Sequence, residues 1–183
     1  GKAIEGVSAN LNGNVTLAAP IYSGDTYFVK YTVTDTKGDG VFTSELELEL
    51  ERDSKIKLNE SGLSIKEAYL FNQENRTVIT NGQIGFENNV LLDLQGLSGY
   101  ELLNGSASLG MFVKVIDAKG KVILDLPDLL ENRELTETQI QKGLGSTVII
   151  QKGMLANPIT WEVKVWDKNS GATLTVKTEV QVI

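Results

Sequence analysis

Four glutamates alternate with leucines in Glu45-Leu-Glu-Leu-Glu-Leu-Glu51. On a strand this spacing puts Glu45, Glu47, Glu49 and Glu51 on one face, roughly 7 Å from one to the next, within the loose range for glycoside hydrolysis or cation binding. The leucines, however, mark the face to be buried, a row of carboxylates repels itself, and a charged strand edge is a common guard against sheet-to-sheet aggregation. The ladder therefore reads as a solvated face. Asp35-Thr-Lys-Gly-Asp-Gly40 resembles the start of a calcium loop, but Lys37 stands where an oxygen ligand is needed and Leu46 occupies the twelfth position in place of a glutamate. A hairpin turn accounts for every residue of it. Ser54-Lys-Ile-Lys57 has the spacing of a Ser-x-x-Lys nucleophile without the partner motifs that such chemistry requires.

Composition narrows the chemistry further. The chain of 183 residues has no histidine and no cysteine. That removes His bases, Ser-His-Asp triads, thiol nucleophiles, the usual zinc sites and disulfides together. Neither a metal nor another cofactor is expected, and the chain reads as a non-enzyme. With 17 basic and 24 acidic residues the net charge is −7, and no basic run offers a footprint for nucleic acid. No apolar run is long enough for a helical membrane span. A start at Gly1-Lys2 reads as processed, with any targeting signal or lipid anchor lying upstream.

The elements that must position any site are strands. Tyr31-Thr-Val-Thr-Asp35, Val113-Lys-Val-Ile-Asp117 and Val163-Lys-Val-Trp-Asp167 are three copies of one pattern, each followed by Gly38, Gly120 or Gly171. Each is an alternating strand running into a tight turn and a second strand. The copies are spaced unevenly, which favours pseudo-symmetry within a sandwich over a solenoid of constant period. From residue 62 onward, strands can be placed at 64–71, 89–94, 108–117, 121–126, 147–151, 159–167 and 172–182. That layout is an antiparallel β-sandwich of the immunoglobulin-like kind.

One segment departs from period two. Thr136 and Gln139 have capping-box spacing, and Gly143 can end a helix, so one short helix is expected within 135–143, linking the two sheets. Residues 1–60 hold strands near 4–10, 14–19, 26–35 and 41–51, too few for an independent sandwich. They are expected to form an N-terminal partial β module packed on a 61–183 sandwich, or to share its sheets.

Strand parity identifies a candidate binding face. With Val113, Val115, Val163 and Val165 inward, Phe112, Ile116 and Trp166 point outward on neighbouring strands. Three large apolar side chains there would form a patch covered by residues 1–60 or the helix, or left for a protein, a glycan or a second copy.

The run Asn89-Val-Leu-Leu-Asp-Leu-Gln-Gly-Leu-Ser-Gly-Tyr100, with the Val113–Gly120 and Val163–Gly171 strand-turn units, resembles the immunoglobulin-like modules of secreted proteins and surface lipoproteins of Gram-negative gut bacteria. The resemblance covers residues 62–183. It implies a location in the periplasm, in the outer membrane or at the cell surface, and assigns no functional residues. The expected function is binding or adhesion through the outer sheet face, with a purely structural spacer as the alternative. Chelators and added calcium are expected to leave the melting temperature unchanged; a calcium-dependent rise of several degrees would show that the glutamate ladder or the Asp35 turn closes an oxygen shell after all.

Overall fold

The computed structural model describes residues 22–153 and 155–183, so the strands expected near 4–10 and 14–19 lie outside the described residues. The protein is all-β: of the described residues, 55% are strand and 3% helix. Its chain divides into two compact units, 1–51 and 52–183. The boundary expected after residue 60 falls earlier because Ile56–Ser61 is a strand of the second unit.

In the first unit, β1 (Thr26–Thr34) and β2 (Val41–Glu49) form an antiparallel hairpin. Register sets Tyr27, Val29, Tyr31 and Val33 opposite Leu48, Leu46, Ser44 and Phe42 on one face. The other face carries Glu45, which pairs with Lys30 at 2.7 Å, and Glu47 and Glu49, which are exposed. Asp35 closes the turn by accepting from the Lys37 N–H at 2.8 Å.

The second unit is a two-sheet sandwich. Its strands are β3 (Ile56–Ser61), β4 (Glu67–Asn72), β5 (Thr77–Val78), β6 (Gln83–Ile84), β7 (Asn89–Gln95), β8 (Ser106–Ile116), β9 (Val122–Leu126) and β10 (Glu134–Thr136), then β11 (Leu144–Ile149), β12 (Ile159–Asp167) and β13 (Thr173–Val182). The larger sheet runs β10-β8-β12-β13-β3, with β9 also pairing β8 and β6 pairing β13 in parallel. The smaller sheet runs β11-β7-β4-β5. Helix α1 (Glu137–Gln141) joins β10 of one sheet to β11 of the other. It carries the anticipated capping box: the Gln139 N–H donates to the Thr136 hydroxyl, and the Thr136 N–H donates to the Gln139 side chain.

Alternation fills the space between the sheets. Leu109, Met111, Val113 and Val115 of β8, with Trp161, Val163 and Val165 of β12, meet Leu70 of β4 and Val90, Leu92 and Leu94 of β7 in one buried cluster. Burying each such side chain contributes about 1.5–3 kcal/mol. The inward parity expected for the valines is the observed one.

The repeated strand-turn pattern has a structural meaning. β8 and β12 are antiparallel neighbours with Val113 directly opposite Val163, so the two copies are related by a local twofold axis through that pair. At the end of each copy the aspartate does the same work. Asp117 Oδ1 accepts from the N–H groups of Lys119 and Lys121, while Oδ2 accepts from Ala156, just ahead of β12. Asp167 Oδ1 accepts from Asn169, while Oδ2 accepts from the Ser170 hydroxyl and from the Glu101 N–H, on the segment leading into β8. Each aspartate thus grips the segment entering the other strand.

Burial by itself would push both carboxyls up, but the donors outweigh it and hold both below the ordinary carboxylate range. Groups whose folded value is lowered stabilise the protein above their unfolded value, near 4, and that stability is lost as pH falls through the folded value. Unfolding free energy should therefore fall steeply below about pH 4, and a double Asp117→Asn, Asp167→Asn variant should show a flatter acid limb in urea titrations. Asp167→Ala, which strands the Glu101 and Asn169 N–H groups, should cost about 3 kcal/mol at pH 7. An unchanged urea midpoint in that variant would remove the clasp as a stabilising element.

Candidate binding face

The outer face of the larger sheet is built by the residues that alternate with the core. On β12, Trp166 lies opposite Gly110 of β8 and Thr173 of β13. A Cβ placed on Gly110 would overlap Cε2 and Cζ2 of the indole, so the ring lies across β8 on the space the missing side chain leaves. Phe112, two residues along β8, stands opposite Lys164 and diagonal to Trp166, within reach of a large side chain. The result is an aromatic pair edged by lysine.

Ile116 does not join them. It lies opposite Thr160 and Val122, beyond the row in which Lys114 faces Glu162 and Asp125. Six residues of strand separate it from Gly110, about 20 Å. The reason is the local twofold: Ile116 and Trp166 are equivalent positions, so they occupy opposite ends of the β8–β12 ribbon. All three side chains point outward as expected, and all three are half-buried, but only Phe112 and Trp166 are neighbours.

Charges around the pair are unevenly neutralised. Lys114 pairs with Asp125 at 3.5 Å and Lys168 with Asp128 at 2.9 Å. Burial alone would push the Asp128 carboxyl up; N–H donation from Met111 and Leu130 and the Lys168 ammonium hold it below its usual range. Lys164 is exposed and forms no ion pair among the described residues.

A second polar cluster lies on the outer face of the smaller sheet. Tyr69 donates to Asp93 at 2.8 Å and Gln95 donates to the same oxygen at 2.7 Å. Burial, then the Asp93 carboxylate, pushes the Tyr69 phenol up to about 12, so it stays protonated at any physiological pH. That makes it a fixed hydrogen-bond donor to Asp93. Among the described residues, no three or more Asp and Glu side chains are grouped closely enough to hold a metal ion.

Gly110 was the informative residue for the face. A glycine inside the apolar strand Leu109-Gly-Met111 signals the close approach of another group, here the indole. No protein-family model matches this chain, and no curated protein matches it. Gly110→Ala should lift the indole off the strand, raising its quenching by acrylamide and costing about 1–3 kcal/mol. Adding Trp166→Ala should recover much of that loss. A Gly110→Ala protein with unchanged quenching and stability would contradict the stacked geometry.

Proposed function

We propose that this protein is a non-enzymatic binding module of a bacterial cell envelope, an immunoglobulin-like sandwich that recognises a protein or glycan through the outer face of its larger sheet. The observation that carries the reading is the indole of Trp166 laid over Gly110 beside Phe112, with the unpaired Lys164 at its edge. A half-exposed flat ring with polar neighbours suits stacking against a sugar face or an apolar side chain. The absence of both histidine and cysteine from the sequence supports a role without catalysis. The resemblance of residues 62–183 to envelope modules supports an exported location.

A spacer role is favoured by one observation: the indole also covers bare backbone at Gly110, a packing use that needs no ligand. Binding of the protein and its Trp166→Ala and Phe112→Ala variants to a panel of purified polysaccharides and envelope proteins separates the two. The binding reading expects both variants to stay folded and to lose tenfold or more in affinity, about 1.4 kcal/mol. Full retention of binding by both variants would remove the aromatic face as the site, and no binding by the parent protein across the panel would leave the spacer reading.

A further inference from the structure

The larger sheet has a notch in one edge. Pairing of β3 with β13 ends at Ile56 opposite Thr178, and pairing of β6 with β13 begins at Gln83 opposite Gln181. Among the described residues Glu179 and Val180 therefore have no strand partner on that side, and a cavity of about 540 Å³ opens there. Its floor is β13 itself, with Pro158 at one wall. Around the rim stand three lysines, Lys55, Lys57 and Lys177, and one glutamate, Glu179, together with the polar side chains of Ser54, Asn81 and Gln181.

The charge at this rim is unusual for the molecule. Lys57 and Lys177 are directly opposite each other in the β3–β13 ladder, so both side chains leave the sheet on the same face. Like charges directly opposite each other on neighbouring strands are destabilising. Among the described residues no ion pair relieves it: Glu162, directly opposite Lys177 on β12, and Glu179 in the notch bridge to neither lysine. The Lys55 ammonium reaches across the notch and donates to the Thr80 carbonyl at 2.8 Å, which fixes a third positive charge at the mouth. On a chain of net charge −7, three lysines meet at a cavity although Lys57 and Lys177 lie far apart in sequence.

From this geometry we infer that the notch is a binding site for an acidic oligosaccharide, a sugar chain bearing carboxylate or sulfate groups. Ammonium groups supply the counter-charge. The amides of Asn81 and Gln181 and the hydroxyl of Ser54 supply the mixed donors and acceptors that sugar hydroxyls need. The volume lies within the 300–1,000 Å³ of sites for organic ligands and far exceeds what one inorganic anion fills. Nucleic acid is disfavoured because its dense charge would meet the acidic remainder of the chain. Lys177 lies on the same outer face as Lys164 and Trp166, so a sugar chain leaving the notch would run toward the aromatic pair.

The inference rests on the reading of the chain as a binding module. Titration calorimetry with oligogalacturonate, a sulfated heparin-type oligosaccharide, a neutral malto-oligosaccharide and inorganic sulfate tests it on the full chain. Binding of at least one acidic oligosaccharide is expected, weakened by added salt and reduced tenfold or more in Lys57→Glu and Lys177→Glu, while the neutral sugar fails to bind. Which acidic probe binds distinguishes carboxylate from sulfate recognition. Lys57→Glu should also raise the melting temperature, because it turns a repulsive cross-strand pair into an attractive one; that readout does not depend on any ligand. Failure of both acidic probes, equal binding of the neutral sugar, saturation by sulfate alone, or undiminished affinity in both lysine variants would overturn the inference. Loss of binding in Trp166→Ala but not in the lysine variants would keep the outer-face reading and remove the notch. Loss in the lysine variants alone would keep the notch and remove the aromatic platform.

Discussion

A pair of aspartates, one after each of two neighbouring antiparallel strands, holds the sandwich unit in register. Asp117 and Asp167 are both buried, and each carboxylate accepts from its own turn and, through Oδ2, from the segment leading into the opposite strand. A slip of one residue between β8 and β12 would break both long-range contacts together and would turn Trp161, Val163 and Val165 outward. The clasp therefore fixes which face is core and which is free. The outward placement of Trp166, Lys164 and Lys177 follows from that parity.

The third copy of the pattern shows what the clasp requires. Asp35 makes the same short-range bond, from the N–H two residues on, yet it sits in an exposed turn. The motif x-Val-x-Asp after a Tyr or Val, followed by glycine, forms the turn in all three copies. The long-range grip appears only where a second segment presents an N–H and water is excluded, because only there does a carboxylate gain more from backbone donors than from solvent. Sequence similarity among the three copies thus marks a shared local structure, and burial decides which of them becomes an organising element.

Much of this was legible in the residues. Period-two alternation located β1, β2, β7, β8, β9, β12 and β13 closely, because each carries enough branched or aromatic residues to define a face. The spacing of Thr136 and Gln139 located α1, since a capping box is local chemistry. By contrast β3, Ile-Lys-Leu-Asn-Glu-Ser, alternates for only three residues and lies at a polar edge, so nothing within it announces a strand. β5, β6 and β10 are two or three residues long and exist by virtue of their partners. Missing β3 displaced the unit boundary and hid the notch, because the Lys57–Lys177 pairing is a product of tertiary register that no local pattern contains. The face suffered a milder version of the same fault: parity placed Phe112, Ile116 and Trp166 on the right side, but only the register shows that Ile116 is at the far end.

The local twofold also explains why the two ends of the ribbon carry their charges differently. The axis between Val113 and Val163 relates β8 to β12, and with them β9 to β13, since each is the strand that follows its tight turn. Equivalent lysines then meet different partners. Lys114 faces Asp125 on β9 and is neutralised, whereas Lys164 faces Thr175 on β13 and is not. Ile116 faces Val122, while Trp166 faces Thr173. On β13 the same face continues to Lys177, which meets another lysine where charge balance would place a glutamate. A scaffold whose two halves fold by one rule thus pairs its charges on the β9 side and leaves them unpaired, beside its outward indole, on the β13 side. Folding stability gains nothing from that asymmetry, because unpaired and like-paired lysines are neutral or costly. Its physical consequence is that the ammonium-bearing side chains of Lys164 and Lys177 are exposed on the same outer face as the half-buried indole.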